Sequence, residues 1–156
     1  MSQALSSNFF TSPSAGSAGK GAIASWLFTT DHKRIGILYM ACILSMLLVG
    51  MLLGFLIRME LIAPGKTIME AQAYHNLFTL HGVIMIFFVV IPSIPAAFGN
   101  IILPLQLGAE DVAFPRLNLL SWWLYAAGAI LAVLSLLTGG GAPDTGWTFY
   151  VPFSEV

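Results

Sequence analysis

The sequence predicts an all-α integral membrane protein with three transmembrane helices. Hydrophobic residues make up 58% of the 156 residues and charged residues only 8%, and the mean hydropathy is +0.87. A soluble globular chain carries about 25% charged residues. Three runs without a charged residue are each long enough to cross a bilayer. A chain with so few polar residues cannot cover the surface of a soluble globule.

The first predicted span covers residues 35–57. At 1.5 Å per residue its length is roughly 34 Å, which crosses the hydrocarbon core with some tilt. Thr30 or Asp31 is a suitable N-cap for it. Gly50 and Gly54 are one turn apart and would let another helix, or the edge of a cofactor, approach the backbone closely. Helix packing is the simpler of these two interpretations.

Arg58 follows the first span and continues the Gly50/Gly54 face by one more turn. One interpretation is an arginine that extends its guanidinium to the membrane surface. The other is a buried guanidinium that donates to a polar group of a cofactor. Physical reasoning on the sequence alone favours the first.

The second and third predicted spans cover residues 76–107 and 117–137. A straight helix over the second span would be roughly 48 Å long, which exceeds the thickness of a bilayer. We therefore expect kinks, or an extension beyond the membrane surface, at its prolines: Pro92, Pro95 and Pro104.

His81 is the central residue of the second span because it places an imidazole in an apolar segment. Such a side chain must be hydrogen-bonded, face a cavity or ligate a metal. In an α-helix one face would carry His81 together with aromatic and thioether side chains suited to a flat, apolar ring: Tyr74, Phe78, Met85 and Phe88. A hydrogen bond to a neighbouring helix and ligation of a metal both remain open at this point.

Three further polar residues are candidates for chemistry. Asp111 follows the second span. Asn100 precedes Asp111 in the sequence and Asn118 follows it. A carboxylate with amides leading inward could form a proton relay, although a solvated loop carboxylate is the simpler interpretation.

Charge indicates how the chain lies in the membrane. The net charge of −1 offers no basic surface to a nucleic acid, so lipid is the expected surrounding. Residues 1–25 form a Ser/Gly-rich N-terminal extension, and residues 26–156 contain the spans. By the positive-inside rule the N-terminus is expected in the cytoplasm, because four basic residues fall on its side of the membrane and two on the other: Lys20, Lys33, Arg34 and Arg116 against Arg58 and Lys66.

Six blocks make the chain resemble subunit I of the A-type (aa3/caa3-like) haem-copper cytochrome c oxidases, over about residues 26–153. They occur in the order and with nearly the spacing of that family: TDHKRIG (30–36), LIRMEL (56–61), LHGVIMIFF (80–88), FGN (98–100), PLQLGAEDVAFPRLN (104–118) and GWTFY (146–150). Each block alone is a weak signal, but the six together are specific.

The resemblance implies a role for each matching residue. His81 would be an axial ligand of the low-spin haem iron, and Arg58 would donate to the formyl group of that haem. Tyr74 would lie near the same haem, and Trp147 near the propionates at the outer face. Asp111 would form the entrance of a proton pathway. The remaining matches are implied to line the neck of that pathway, Asn100 and Asn118, and to form a peripheral cation site, Glu60 and Gly65.

The resemblance also implies the function. The full subunit would pass electrons from cytochrome c through a low-spin haem, expected to be haem a, to a high-spin haem and copper B, where O2 is reduced to water and protons are pumped. Oxidase subunits II and III would be its partners in a bacterial inner membrane. Alternatives are a quinol oxidase, a nitric oxide reductase, or a non-catalytic membrane anchor or transporter fragment.

The chain departs from the family in length. Family members have about twelve spanning helices, and only the first three are expected here. The ligands of the high-spin haem and of copper B lie outside these 156 residues, so this segment alone is not expected to reduce O2. We therefore interpret it as the N-terminal part of subunit I.

Overall fold

The computed structural model describes residues 21–138 and 145–151, which form four helices, one short and three long, and a final turn. Helix α1 is Ala22–Leu27 and α2 is His32–Glu60. The third helix, α3, runs through Ala71–Leu107, and α4 is Pro115–Leu137. No strand occurs in the described part of the chain. Most of the predicted extension, residues 1–20, lies outside the described residues.

Three of these helices, α2, α3 and α4, are long and apolar enough to cross a membrane. The predicted number and order of spans are therefore confirmed, and each helix begins two to five residues before the predicted span. Asp31 explains the start of α2, because its side chain accepts a hydrogen bond from the Lys33 amide at 2.9 Å, as an N-cap does. Pro115 occupies the first turn of α4, where its missing N–H costs nothing.

Helix α3 changes its winding twice without breaking. Residues Ile84–Val90 and Ser93–Phe98 form π-helix, and α-helix lies before and after them. Pro92 and Pro95 lie at the start of the second π stretch and within it. A π-helix bonds to the fifth residue rather than the fourth, and such stretches are frequent at functional sites. Altered winding at Pro92 and Pro95 is what the structure shows, and the expected kink or extension beyond the membrane surface stays a prediction.

Only part of the predicted face of α3 lies against α2. His81 and Met85 do lie against α2, but Phe78 is 41% exposed. Phe88 instead contacts Tyr125 of α4 at a ring distance of 5.7 Å. Because the π stretch begins at Ile84, α-helical spacing no longer holds after His81.

Helix α2 packs against both other long helices and provides half of the buried hydrophobic residues of the described chain. One buried cluster lies towards the start of α2 and the end of α3, and a second lies at the level of His81. The first comprises Ile35, Tyr39, Ile43, Ala97 and Trp122; the second comprises Met46, Leu53, Leu80, Ile84 and Ala129. Packing in the two clusters holds α2 and α3 close together. This short distance lets the His81 ring contact α2.

Candidate functional site

The imidazole of His81 lies in a recess on α2. Its Nδ1 is 2.9 Å from the carbonyl oxygen of Gly50. Because a carbonyl only accepts, Nδ1 must carry the hydrogen, and in the neutral ring Nε2 then keeps its lone pair. Histidines that bind a metal commonly donate their other ring N–H to a backbone carbonyl in this way.

The recess exists because Gly54 has no side chain. A Cβ at Gly54 would lie 3.0 Å from Cε1 of His81 and 3.4 Å from its Nδ1. At Gly50 a Cβ would lie 2.6 Å from the sulfur of Met85. The two glycines therefore give close packing of α3 on α2, and the same packing fixes the orientation of the His81 ring.

Chemically, the arrangement suits one axial ligand of a haem iron. A tautomer fixed by a backbone bond, a ring held by packing and a free Nε2 are what an iron ligand needs. Within residues 21–138 and 145–151, no group of three or more His, Cys, Asp or Glu side chains is arranged to hold a metal ion.

The other residues predicted around His81 lie towards the same end of the helices. Arg58 is exposed, one turn beyond Gly54. Tyr74 is half-buried and lines a groove of about 550 Å³ together with Glu60 and Gly65. Arg58 and Tyr74 take no part in the contacts of His81 described above. Their place near a haem therefore stays a prediction.

Trp147 lies in a segment that we call the aromatic turn, residues 145–151. Its indole packs directly on α3 beside His81, because a Cβ on Gly82 would lie 2.9 Å from Trp147 Cδ1. The Phe87 ring meets the indole edge-on, with centroids 6.3 Å apart. The turn is closed by a bond from the Tyr150 amide to the Thr145 carbonyl at 2.8 Å. The glycines and the proline of residues 138–144 predict a loop before this turn, and residues 139–144 lie outside the described residues.

A second group of polar residues lies at the opposite end, where α2 begins and α3 ends. Nδ1 of His32 is 2.8 Å from Oδ1 of Asp111. His32 is buried, whereas the Asp111 side chain is 40% exposed. Asp111 therefore has one face towards solvent and the other against a buried imidazole.

The two asparagines of the predicted neck are in direct contact. Asn118 donates through Nδ2 to Oδ1 of Asn100 at 2.5 Å, and Asn100 donates to the Ala96 carbonyl at 2.6 Å. Asn100 is buried, and both residues line a groove of about 500 Å³. The structure thus brings Asn100 and Asn118 together, and their place in a proton pathway stays a prediction.

The predicted cation site comprises Glu60 and Gly65. Backbone amides of the loop after Gly65 donate to the Glu60 carboxylate. Glu60 is buried and accepts from three backbone amides at 2.6–3.0 Å: those of Thr67, Ile68 and Met69. Three N–H donors stabilise a carboxylate and account for the shape of the loop. Gly65 has φ +86°, a conformation that glycine adopts without strain. The Glu60 carboxylate thus has a structural role in holding this loop, and the cation site stays a prediction.

Sequence reasoning missed four polar side chains. Thr79 is 2% exposed and bonds to the aromatic turn, and His32 holds Asp111. Ser121 accepts or donates at 2.9 Å to the Tyr39 hydroxyl and donates to the Asn118 carbonyl. Each makes a bond to a distant residue: the partner is 67 positions away for Thr79 and 79 for His32, and Tyr39 and Ser121 are 82 positions apart. No local motif could have indicated these long-range contacts.

Comparison with known proteins gives a consistent result. Residues 34–156 match the family described as Cytochrome C and Quinol oxidase polypeptide I. The probable cytochrome c oxidase subunit 1-beta of Nocardia farcinica is 50% identical over 126 residues, which cover 81% of this chain and 21% of the relative. The probable cytochrome c oxidase subunit 1-alpha of Streptomyces avermitilis is 45% identical over 133 residues, covering 85% and 23%.

A third relative, the cytochrome c oxidase subunit 1 of Corynebacterium efficiens, is 44% identical over 142 residues, covering 90% of this chain and 24% of the relative. The chain thus spans about a quarter or less of the length of these curated relatives. Its three long apolar helices and the match over residues 34–156 make it a multi-pass membrane protein, and the chain belongs to the cytochrome c and quinol oxidase polypeptide I family.

Proposed function

We propose that the chain forms the first three spanning helices of the catalytic subunit of a terminal respiratory oxidase. The observation that carries this proposal is the His81 ring, whose Nδ1–H is bound by the Gly50 carbonyl so that Nε2 is left for iron. Relatives named cytochrome c oxidase subunit 1 support the same reaction: reduction of O2 to water with electrons from cytochrome c, coupled to proton pumping.

In this proposal the chain's own residues bind and orient a low-spin haem, expected to be haem a. His81 provides one axial nitrogen, and Gly54 leaves the space that fixes its ring. Arg58, Tyr74 and Trp147 are proposed to contact the periphery of the macrocycle. The bound haem supplies one-electron transfer. A high-spin haem and copper B would be held by other parts of the full subunit.

We further propose that Asp111 collects protons at the cytoplasmic surface. Its exposed face can exchange protons with water, while His32 holds the other side of the carboxylate. The Asn100–Asn118 pair lines the way inward without burying a charge, which matters because an unpaired charge is costly in the membrane. The setting is a bacterial inner membrane with a cytoplasmic N-terminus, and subunits II and III are the proposed partners.

A quinol-oxidising complex is the second candidate, because the family description includes both electron donors. The two candidates share every residue named above. Purified complex that oxidises a quinol but not reduced cytochrome c would establish the second and exclude the first. The cation site at Glu60 and Gly65 remains a proposal in either case.

The decisive experiment replaces His81 in the assembled oxidase. We expect His81→Ala to abolish the low-spin haem band in a reduced-minus-oxidised spectrum, because one axial nitrogen is lost. His75→Ala is the matched control, since His75 lies on the same helix six residues earlier, and it should keep the band. A low-spin band that survives His81→Ala would overturn the ligand assignment, whereas an unmodified complex without any haem signal would favour a non-catalytic anchor.

A further inference from the structure

Thr79 is a buried hydroxyl that joins two separate segments. Its Oγ1 donates to the His75 carbonyl at 2.9 Å within α3, as threonines in helices often do. The same oxygen accepts the backbone N–H of Gly146, also at 2.9 Å, in a fully buried contact. Thr79 is 2% exposed. Its hydroxyl is therefore the acceptor that satisfies a buried amide of the aromatic turn.

Gly146 is the residue of the aromatic turn with the least freedom to change. Its φ is +75°, a region that residues with a side chain rarely adopt. A Cβ there would lie 2.4 Å from the Tyr150 ring. Because Gly146 immediately precedes Trp147, a hydrogen bond to the Gly146 amide fixes the backbone from which the indole projects.

Thr79 and Gly82 are three residues apart on α3 and so lie on the same face of it. The Gly146 amide donates to Thr79, and the Trp147 indole packs against Gly82. His81 points instead to α2, where it meets Gly50 and Gly54. One turn of α3 is thus held between α2 on its histidine side and the aromatic turn on another.

We infer that Thr79 is a positioning residue that sets where Trp147 lies relative to His81, a role that rests on the proposed haem function. The hydroxyl holds the aromatic turn against α3, and the absent side chain of Gly82 lets the indole reach the helix surface. The indole is thereby kept at a fixed place on α3, against Gly82 and next to the proposed iron ligand His81.

The test uses the assembled oxidase with Thr79→Val, which keeps the shape of the side chain and removes the hydroxyl. Losing the acceptor of a buried amide costs about 1–3 kcal/mol. We therefore expect deuterium exchange at the Gly146 amide to become roughly five- to a hundred-fold faster. The low-spin haem content should be unchanged, because His81 is intact, while the low-spin band or its midpoint potential shifts. Thr79→Ser should restore both readouts.

Two further variants complete the test. Thr148→Val makes the same chemical change at an exposed residue of the aromatic turn and should leave both readouts as in the unmodified protein. Gly82→Ala leaves the Thr79 hydroxyl in place but displaces the indole, so it should reproduce the spectral shift without depending on the folding of Thr79→Val. An unshifted band in Gly82→Ala overturns the proposal.

Faster exchange in Thr79→Val with an unshifted band overturns the positioning role. Thr79 would then only attach the aromatic turn to α3. Loss of haem in both Thr79→Val and Thr79→Ser overturns it as well, because the packing rather than the hydroxyl would then matter. These results are separate from the fate of the proposed function, which is decided by the band in His81→Ala.

Discussion

At the scale of single residues, the cost of a histidine in an apolar helix is offset by one backbone carbonyl. The Gly50 carbonyl accepts from Nδ1 of His81, which satisfies one ring nitrogen and leaves the other for a ligand. A structural histidine at a helix interface would be expected to use both nitrogens on protein groups. The space opposite Gly54 is the second half of this arrangement, since the ring would otherwise have to turn away from α2.

Substitution of Gly54 tests that space. A Cβ at Gly54 would lie 3.0 Å from His81 Cε1, so Gly54→Ala should shift the low-spin haem band, and Gly54→Val should reduce the haem content. Absorbance spectra of the purified complex measure both. Gly99→Ala is the control, because the nearest atom to a Cβ there is the Ile94 carbonyl oxygen at an ordinary 3.5 Å. Normal spectra in Gly54→Val would contradict the packing argument.

Arg58 presents a second residue-scale prediction. Arg58 is exposed one turn beyond Gly54, which agrees with an arginine at the membrane surface; a haem contact stays a prediction. If it donates to a polar group of the haem, Arg58→Met should shift the low-spin band and lower the potential, because a positive donor near the ring is lost. Arg58→Lys keeps the charge but not the fork of donors and should shift less. Identical spectra for Arg58→Met and the unmodified complex would show that Arg58 serves only the membrane surface.

At the scale of elements, α3 meets different neighbours before and within the π stretch Ile84–Val90. Before it, His81 faces α2; within it, Phe88 turns towards α4. The Tyr125 hydroxyl of α4 donates to the Phe88 carbonyl at 2.6 Å. A side chain of the neighbouring helix thus bonds to a carbonyl of the wider winding and links α3 to α4 directly.

Removing that hydroxyl tests the link. Tyr125→Phe should destabilise the packing of α3 on α4 by about 1 kcal/mol, the net value of a typical hydrogen bond. The thermal denaturation midpoint of the detergent-solubilised complex should therefore fall. Tyr150→Phe makes the same change on an exposed residue and should leave the midpoint unaltered. Equal midpoints for the two variants would mean that ring packing alone holds these helices together.

At the scale of the whole molecule, the helices separate two polar regions. His81 and the aromatic turn lie towards one end, and the His32–Asp111 contact joins the start of α2 to the segment after α3 at the other. One buried cluster lies between them, and the other lies at the level of His81. Electron and proton chemistry would thus be served by the two ends of the same helices.

This separation predicts that the two regions can be impaired independently. Asp111→Asn should slow turnover or proton pumping at least several-fold while the haem content stays normal, because the amide cannot exchange a proton. Oxygen uptake and haem spectra of the same preparation measure both. Glu110→Gln is the matched control at the neighbouring exposed carboxylate and should retain full turnover. Loss of haem in Asp111→Asn would assign the residue a structural role instead.

The sequence by itself determined the fold class, the three spans and the family, and it singled out His81, Asp111 and the two asparagines. These follow from apolar run length, cap residues and block order, which are local properties of the chain. Only the tertiary structure decided that Gly50 and Gly54 receive the His81 ring, that His32 holds Asp111 and that Thr79 holds the aromatic turn. The hydrogen bonds among those contacts join residues 31 to 79 positions apart, and Phe88 likewise bonds to the distant Tyr125 of α4, so no local pattern could have specified them.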